Sequence, residues 1–258
     1  MFTLETRVIS RIKSSRRPTI QEHLESKDVS FSFFDAADKF NITRNDLTFS
    51  YKWHNISVNT DNNFGDSFNG RKWVNIGEIG CLFSHYSLWK ELAESEYDAT
   101  LILEDDAKLL FTGEQLAEFT KTQNVDGIDL IFCQRNSPNF VTGKRAFDHL
   151  TNKIEILATT QASFWEICEG TTGYILTKAG AKKLIEPIEQ FGFLFPADNH
   201  ILRCVQKPPI GLAIFGGMDA FLTTKELQIE LSESAKTSEI HDKKQETITM
   251  VGNIKFKD

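Results

Sequence analysis

Apolar positions along the chain recur with two periods, which predict strands and helices in alternation. Leu4–Ser10 has the pattern of a strand, and a basic turn then leads into a helix that starts near Ser14–Pro18. Within Val29–Phe34, phenylalanines alternate with serines, which predicts a second strand. Apolar residues at helical spacing over Ile79–Ala93 predict a helix that is largely buried.

The short apolar run Ala99–Leu103 stops at Glu104-Asp105-Asp106, as a buried central strand does when its end opens into a site. Four further elements are predicted, a helix, two strands and a second helix: Gly113–Thr122, Ile128–Cys133, Gly173–Thr177 and Lys178–Glu189. A loop is expected through 195–198. Because strands alternate with helices, the pattern predicts an α/β fold with a mostly parallel sheet flanked by helices.

The length of 258 residues fits one large α/β domain. Residues 41–71 are polar and predicted to be irregular, and the polar, charged segment at about 241–258 predicts a loose tail. No apolar stretch approaches the roughly 20 residues that span a bilayer, and the first residues lack the apolar core of a secretory signal. These features favour a cytoplasmic protein.

Charge is distributed unevenly along the chain. The net charge of -7 argues against a nucleic-acid partner, because phosphate backbones are bound by clustered cations. Near the first helix, however, cations outnumber acids: Arg7, Arg11, Lys13, Arg16 and Arg17 accompany only Glu5. The four cysteines are widely separated, which predicts free thiols and neither a zinc site nor a disulfide framework.

The three carboxylates after the Ala99–Leu103 strand are the main candidates for chemistry. Side chains alternate along an extended chain, so Glu104 and Asp106 should project to one side and Asp105 to the other. Two carboxylates on one side suit Mn²⁺ or Mg²⁺ together with phosphate oxygens of a substrate. The alternative is a solvated acidic turn.

Other candidate residues have two interpretations each. Ser84 and His85 are either pocket residues or hydrogen-bonded core residues. Arg16 and Arg17 either hold phosphates at a helix N-terminus or form an exposed basic turn. Asp198 is either a carboxylate base or the N-cap of the next helix.

Several segments along the chain, which follow one another in the expected order, together resemble the signature of glycosyltransferase family 25, the lipooligosaccharide galactosyltransferases and their collagen-modifying relatives. The resemblance extends over roughly residues 4 to 240. It is carried by Gly77–His85, Ile102–Asp106, Val8–Ser10 with Arg16-Arg17, Phe33–Ala36, Gly170–Leu176 with Gly180–Leu184, and Pro196–Asp198.

The resemblance implies a GT-A-type fold and an inverting transfer of galactose or glucose from a UDP-sugar, which forms a β-linkage in lipooligosaccharide or lipopolysaccharide synthesis. About 1–110 would be the nucleotide-sugar half and about 111–240 the acceptor half of a single domain. Asp198 is then the expected base, and Glu104 and Asp106 are the expected ligands of Mn²⁺ or Mg²⁺. Substrate contacts are expected from Ile9, Ser10, Arg16, Arg17, Asp35, Glu78, Ser84, His85, Asp105, Gly170, Thr171 and Thr172.

The expected acceptor is an oligosaccharide or a lipid-linked glycan, the latter with peripheral association at the inner membrane. His241 is either a further metal ligand or a solvated tail residue. Two other functions remain open from the sequence: a metal-dependent phosphohydrolase, and a non-catalytic glycan-binding protein on a degenerate transferase fold.

Overall fold

A computed structural model describes residues 1–38, 76–133, 155–156, 170–191, 196–205, 218–222 and 227–232. The first half contains β1 (Leu4–Ser10), α1 (Arg17–Ser26), β2 (Ser32–Asp35), α2 (Ile76–Glu94), β3 (Ala99–Glu104), β4 (Ala107–Leu109) and α3 (Gly113–Thr122). The second half contains β5 (Leu130–Phe132), β6 (Glu155–Ile156), β7 (Gly173–Thr177), α4 (Lys178–Phe191), α5 (Ala197–Val205), β8 (Ala220–Leu222) and β9 (Ile229–Leu231). None of the described helices is both long enough and apolar enough to span a membrane.

The main sheet has the strand order β2-β1-β3-β7-β5-β8-β6. β1 pairs in parallel with β2 and β3, and β5 pairs in parallel with β8. β7 is antiparallel to both β3 and β5, and β6 is antiparallel to β8. Five strands therefore run one way and two the other, so the predicted α/β class with a mostly parallel, helix-flanked sheet is confirmed.

Strand β3 is buried on both faces at the centre of this sheet. Ile102 belongs to an apolar cluster that includes residues of α2, α4 and α5, whereas Leu101 and Leu103 belong to a second cluster with residues of α1 and α3. The alternation follows from the two-residue period of a strand. A central strand packed from both sides is a rigid support for the acidic residues at its end.

The carboxyl ends of β1, β2 and β3 lie side by side. The register places Ser10 opposite Asp35 and Ile9 opposite Glu104. Open α/β sheets bind ligands beyond the carboxyl ends of such strands. The fold thus brings the basic turn after β1 and the acidic residues after β3 to one edge.

Two expectations about local structure are wrong. Asp105 and Asp106 form a turn rather than an extension of β3, and the chain then enters β4, which pairs with β9 in a small separate sheet. The backbone N–H of Ser232 donates to the Asp106 carbonyl at 2.8 Å, which secures this turn from a distant part of the chain. The loop expected through 195–198 is also interrupted, because α5 begins at Ala197.

Cys81, Cys133 and Cys204 are free thiols, as predicted. Cys168 lies outside the described residues, as do the irregular segment 41–71, the tail and His241.

Gly180 marks a close approach between α4 and the strand layer, and it yields a prediction about stability. A Cβ at this position would lie 2.1 Å from the carbonyl oxygen of Asp129, which is backbone and cannot easily move. Gly180→Ala should therefore destabilise the protein by about 1–3 kcal/mol, although alanine is the better helix former by roughly 1 kcal/mol. Denaturant unfolding would measure this, with Lys182→Ala on the exposed side of α4 as the control. Equal or greater stability of Gly180→Ala would contradict this account of the packing.

Candidate active site

The turn between β1 and α1 is bound to the acidic turn after β3. Asp105 accepts hydrogen bonds from the hydroxyls of Ser10 at 2.8 Å and Ser14 at 2.7 Å, both at Oδ2. Its Oδ1 lies 3.1 Å from Nη1 of Arg16, the residue that precedes α1. Both carboxylate oxygens of Asp105 therefore accept hydrogen bonds from the basic turn, and these bonds hold the turn in place.

Arg16 also reaches the neighbouring carboxylate. Its Nη1 lies 3.0 Å from Oδ2 of Asp106, so both aspartates meet one guanidinium. The predicted arrangement, with Asp105 on the side opposite to Asp106, is not observed because the two residues form a turn. The turn is not a solvated one either, since Asp106 is only 9% exposed.

Asp106 has an unusual electrostatic environment. Burial raises its pKa to about 7, the negative charges of Glu104 and Asp105 act in the same direction, and Arg16 opposes them. Its Oδ1 is buried and accepts no hydrogen bond within the described part of the chain. A buried carboxylate oxygen without a partner is costly unless a proton or a cation satisfies it.

Glu104 is held by His85 of α2 and by the Thr171-Thr172 pair that precedes β7. Its Oε1 accepts a hydrogen bond from the hydroxyl of Thr171 and lies 3.2 Å from Nε2 of His85 on α2. Its backbone N–H donates to the carbonyl of Thr172 at 3.0 Å. Burial alone would raise the pKa of Glu104, but hydrogen bonds from His85 and Thr171 and the charge of Arg16 bring it below its ordinary value.

Cys81 lies among the acidic residues, although the sequence indicated nothing beyond an ordinary buried thiol. Burial raises the pKa of Cys81 well above its usual value. The negative charges that raise it further belong to Glu104, Asp198, Asp106 and Glu78, in that order. Asp198 comes from the far half of the chain, and its charge lies close enough to Cys81 to contribute to this rise in pKa.

A possible metal cluster formed by Cys81, His85 and Glu104 has ligand atoms within 4.8 Å of one another. His85 already uses Nε2 toward Glu104 and Nδ1 toward Tyr174, and the raised pKa keeps the Cys81 thiol protonated. Hard cations such as Mn²⁺ prefer oxygen ligands. Cys81 and His85 are better described as hydrogen-bonded supports of Glu104.

Asp198 lies in the first turn of α5 and is half-buried. The N–H of His200 donates to the carbonyl of Pro196 at 2.9 Å, so Pro196 and not Asp198 is the N-cap residue. Oδ1 of Asp198 accepts the N–H of Asn199 at 2.7 Å, an interaction that an amide oxygen can also make. The predicted N-cap alternative is therefore wrong, whereas the role of base stays a prediction.

A pocket opens at this edge of the sheet. Eight of the predicted site residues line it: Ile9, Ser10, Arg16, Ser84, His85, Glu104, Asp105 and Asp106. Arg11, Ser14, Ala36, Ala37, Gly77 and Cys81, which were not predicted as contacts, complete the lining. The hydroxyl of Ser84 donates to the Gly80 carbonyl at 2.7 Å and accepts the N–H of Ala37 at 2.9 Å, so Ser84 lines the pocket and is also hydrogen-bonded, while its contact with substrate stays a prediction.

The remaining predicted contacts lie around this pocket rather than in its lining. Arg17 pairs with Asp35 at 2.6 Å and stacks over the ring of Phe33 at 4.1 Å. Glu78 is buried in the first turn of α2. Gly170 has a φ of 102°, which favours glycine, and leads into the Thr171-Thr172 pair that holds Glu104.

The chain is similar to several known proteins. A model of glycosyltransferase family 25 (LPS biosynthesis protein) matches residues 4–201. Procollagen galactosyltransferase 2 of Homo sapiens is 30% identical over 141 residues, which are 52% of this chain and 20% of that protein. Procollagen galactosyltransferase 1-B of Xenopus laevis is 24% identical over 201 residues, which are 77% of this chain and 30% of that protein. The chain thus spans less than a third of the length of these relatives.

Two solved structures are similar at a lower level. The galactosyltransferase LgtC in complex with donor and acceptor sugar analogs is 13% identical with a TM-score of 0.35, covering 77% of this chain and 69% of LgtC. Mouse xyloside xylosyltransferase 1 is 9% identical with a TM-score of 0.34, covering 89% of this chain and 84% of that structure.

Proposed function

Because this chain belongs to glycosyltransferase family 25, we propose that it is an inverting hexosyltransferase of the GT-A type. It moves galactose, or alternatively glucose, from a UDP-sugar to a glycan acceptor and forms a β-linkage. The observation that carries this proposal is the convergence of Arg16, Asp106 and Glu104 on one pocket at the carboxyl ends of β1 and β3. The galactosyltransferase names of the relatives favour galactose as the donor sugar.

The donor is proposed to bind with its diphosphate next to Arg16. This guanidinium is half-buried in the pocket lining and held by Asp105 and Asp106, which fixes its position before the donor arrives. Arginine suits a diphosphate because its planar fork matches phosphate oxygens. Arg17 is the weaker candidate because it does not line the pocket and instead pairs with Asp35 and stacks on Phe33.

A divalent cation, Mn²⁺ or Mg²⁺, suits the acidic turn. Oδ1 of Asp106 is buried and accepts no hydrogen bond from the described residues, and the pKa of this carboxyl is raised to about 7. A bound cation would give this oxygen the partner that it lacks and would stabilise the ionised carboxylate. Glu104 is the second carboxylate of this site and is kept ionised by its hydrogen bonds. When bound, such a cation offsets the negative charge that develops on the departing diphosphate.

Asp198 is proposed to act as the base. It takes the proton of an acceptor hydroxyl while the hydroxyl oxygen bonds to C1 of the sugar and the bond from C1 to the diphosphate oxygen breaks. Attack from the face opposite to the leaving UDP inverts the anomeric carbon. The charge of Asp198 contributes to the raised pKa of Cys81, which lines the pocket, and this supports the role.

The proposed acceptor is an oligosaccharide or lipid-linked glycan in lipooligosaccharide or lipopolysaccharide synthesis, in keeping with the description of the family. We place the protein in the cytoplasm, with peripheral association at the inner membrane if the acceptor is lipid-linked. The net charge of -7 supports the expectation that nucleic acid is not a partner.

A donor screen tests the proposal. The chain is incubated with UDP-galactose, UDP-glucose and UDP-N-acetylglucosamine, with Mn²⁺ or with chelator, and UDP release is followed with and without an oligosaccharide acceptor. Release from UDP-galactose that needs Mn²⁺ and rises with acceptor, together with a β-linked product by NMR, is the expected result. Hydrolysis that acceptor does not stimulate would instead indicate a phosphohydrolase, and donor binding without turnover a glycan-binding protein.

A further inference from the structure

A chain of buried polar groups runs from the interior of the protein to Glu104. The indole Nε1 of Trp89 lies 2.8 Å from the hydroxyl of Tyr174. That hydroxyl lies 2.8 Å from Nδ1 of His85, whose Nε2 lies 3.2 Å from Oε1 of Glu104. Trp89 and His85 are fully buried and Tyr174 is 1% exposed, whereas Glu104 reaches the pocket.

The direction of these hydrogen bonds follows from the chemistry of the groups. An indole N–H can only donate, so the oxygen of Tyr174 accepts from Trp89. The single phenolic hydrogen then has Nδ1 of His85 as its acceptor. The opposite choice would leave a buried O–H without a partner, which is costly. His85 therefore carries its hydrogen on Nε2 and donates it to Glu104.

The phenol is suited to this role. Burial raises the pKa of Tyr174 well above its ordinary value, so the hydroxyl keeps its hydrogen. The rings are also fixed: His85 stacks with Tyr174, and Trp89 stacks on His200, with centroids 5.8 Å apart in both pairs. The donor that His85 presents to Glu104 is thus set by two aromatic residues that do not line the pocket.

We propose that Tyr174 and Trp89 are positioning residues, which act through the tautomer of His85 to hold the Glu104 carboxylate in the pocket. The hydroxyl of Thr171 and the thiol of Cys81 also donate to the same oxygen, Oε1. Among the described residues no hydrogen bond reaches Oε2 of Glu104, which leaves that oxygen available to the contents of the pocket. The use of this carboxylate in hexosyl transfer rests on the proposed function, whereas the His85 tautomer and the direction of the hydrogen bonds from Trp89 to Glu104 do not.

The tautomer is tested directly by NMR. In the full chain labelled with ¹⁵N-histidine, the His85 resonances are assigned by their loss in His85→Gln. The expected spectrum shows hydrogen on Nε2 and none on Nδ1. Hydrogen on Nδ1, or on both nitrogens, would overturn the proposal.

The effect on transfer is tested with Tyr174→Phe, which removes one hydroxyl and keeps the ring stacked on His85. We expect kcat to fall by about 10- to 100-fold, as is typical when a residue that orients a site ligand is changed. Tyr86→Phe is the matched control, because this tyrosine on α2 directs its hydroxyl toward Glu189 at 3.4 Å and does not line the pocket. It should leave kcat within about threefold of the wild-type value.

A change of background separates positioning from a general loss of packing. In His85→Gln the side-chain amide can donate to Glu104 and has no tautomer to set. Tyr174→Phe should therefore cost less than about threefold in that background, a strongly non-additive result. An equal loss of kcat in both backgrounds would overturn the proposal, as would a Tyr174→Phe enzyme with normal kcat.

Two further outcomes remain decisive. If Tyr174→Phe fails to fold, the NMR measurement on the wild-type chain decides the direction of the hydrogen bonds. If the wild-type chain transfers no hexose, the proposed function fails, while the same measurement still supports or overturns the chain from Trp89 to Glu104.

Discussion

Asp198→Asn is expected to lower kcat for hexosyl transfer by about 10²- to 10⁴-fold while the KM for the donor changes little. Asn cannot accept a proton at the pH of the reaction, so a base is lost. The fold should be unaffected, because an amide oxygen can still accept the N–H of Asn199 as Oδ1 does now. Steady-state kinetics with an accepted glycan, beside a thermal melt, measures both effects.

A remote acid provides the control for this substitution. Asp126 is exposed in the turn before β5, and Asp126→Asn should leave kcat unchanged. A stable Asp198→Asn protein with near-normal kcat would remove Asp198 from the mechanism. Glu166 and Glu169, which lie outside the described residues, would then be the next candidates for the base.

Much of the fold follows from local periodicity. The bounds of β1 and α3, and those of β7, agree with the segments predicted from apolar spacing. The reversed direction of β7 was not predictable in this way. Its antiparallel pairing places Gly173 opposite Leu103 across 70 residues of chain, and a local pattern contains no information on strand direction.

The short strands were missed for a related reason. β4 has three residues, too few to show a period, and it exists because β9 pairs with it from far along the chain. That pairing turns the chain directly after β3, so Asp105 and Asp106 meet Arg16 instead of alternating. The residues of the acidic site were therefore predictable, but the directions in which their side chains point were not.

The buried support of Glu104 left one signal in the sequence. Cys81, His85 and Trp89 are spaced four residues apart on α2, which places them on one helix face. The spacing is equally typical of an apolar core stripe. Tyr174 joins this face only through the pairing of β7 with β3, so the hydrogen-bonded chain became visible only in three dimensions.

Asp106→Ala is expected to abolish the gain in donor affinity that Mn²⁺ provides, and to lower kcat/KM by roughly 10²-fold or more, since a cation at a departing diphosphate contributes several kcal/mol. The physical reason is the buried Oδ1, which has no other partner among the residues described. Titration calorimetry with UDP-galactose, with Mn²⁺ and with chelator, measures the gain. Glu96→Ala, which removes an exposed acid before the opposite end of β3, is the control and should keep the full gain.

The stability of the same variant distinguishes loss of a ligand from loss of the fold. The pKa of Asp106 is raised to about 7 in the folded chain, whereas in the unfolded chain this carboxyl has an ordinary pKa near 4. Between about pH 4 and pH 7 the unfolded chain therefore binds fewer protons than the folded chain, and the free energy of unfolding falls as pH rises through that window. Above pH 7 the ionised Asp106 opposes folding. Without metal, Asp106→Ala should therefore melt no lower than the wild type at pH 8, and its relative advantage should shrink at pH 5. An undiminished response to Mn²⁺ in Asp106→Ala, or full activity of the wild type in chelator, would exclude Asp106 as a metal ligand.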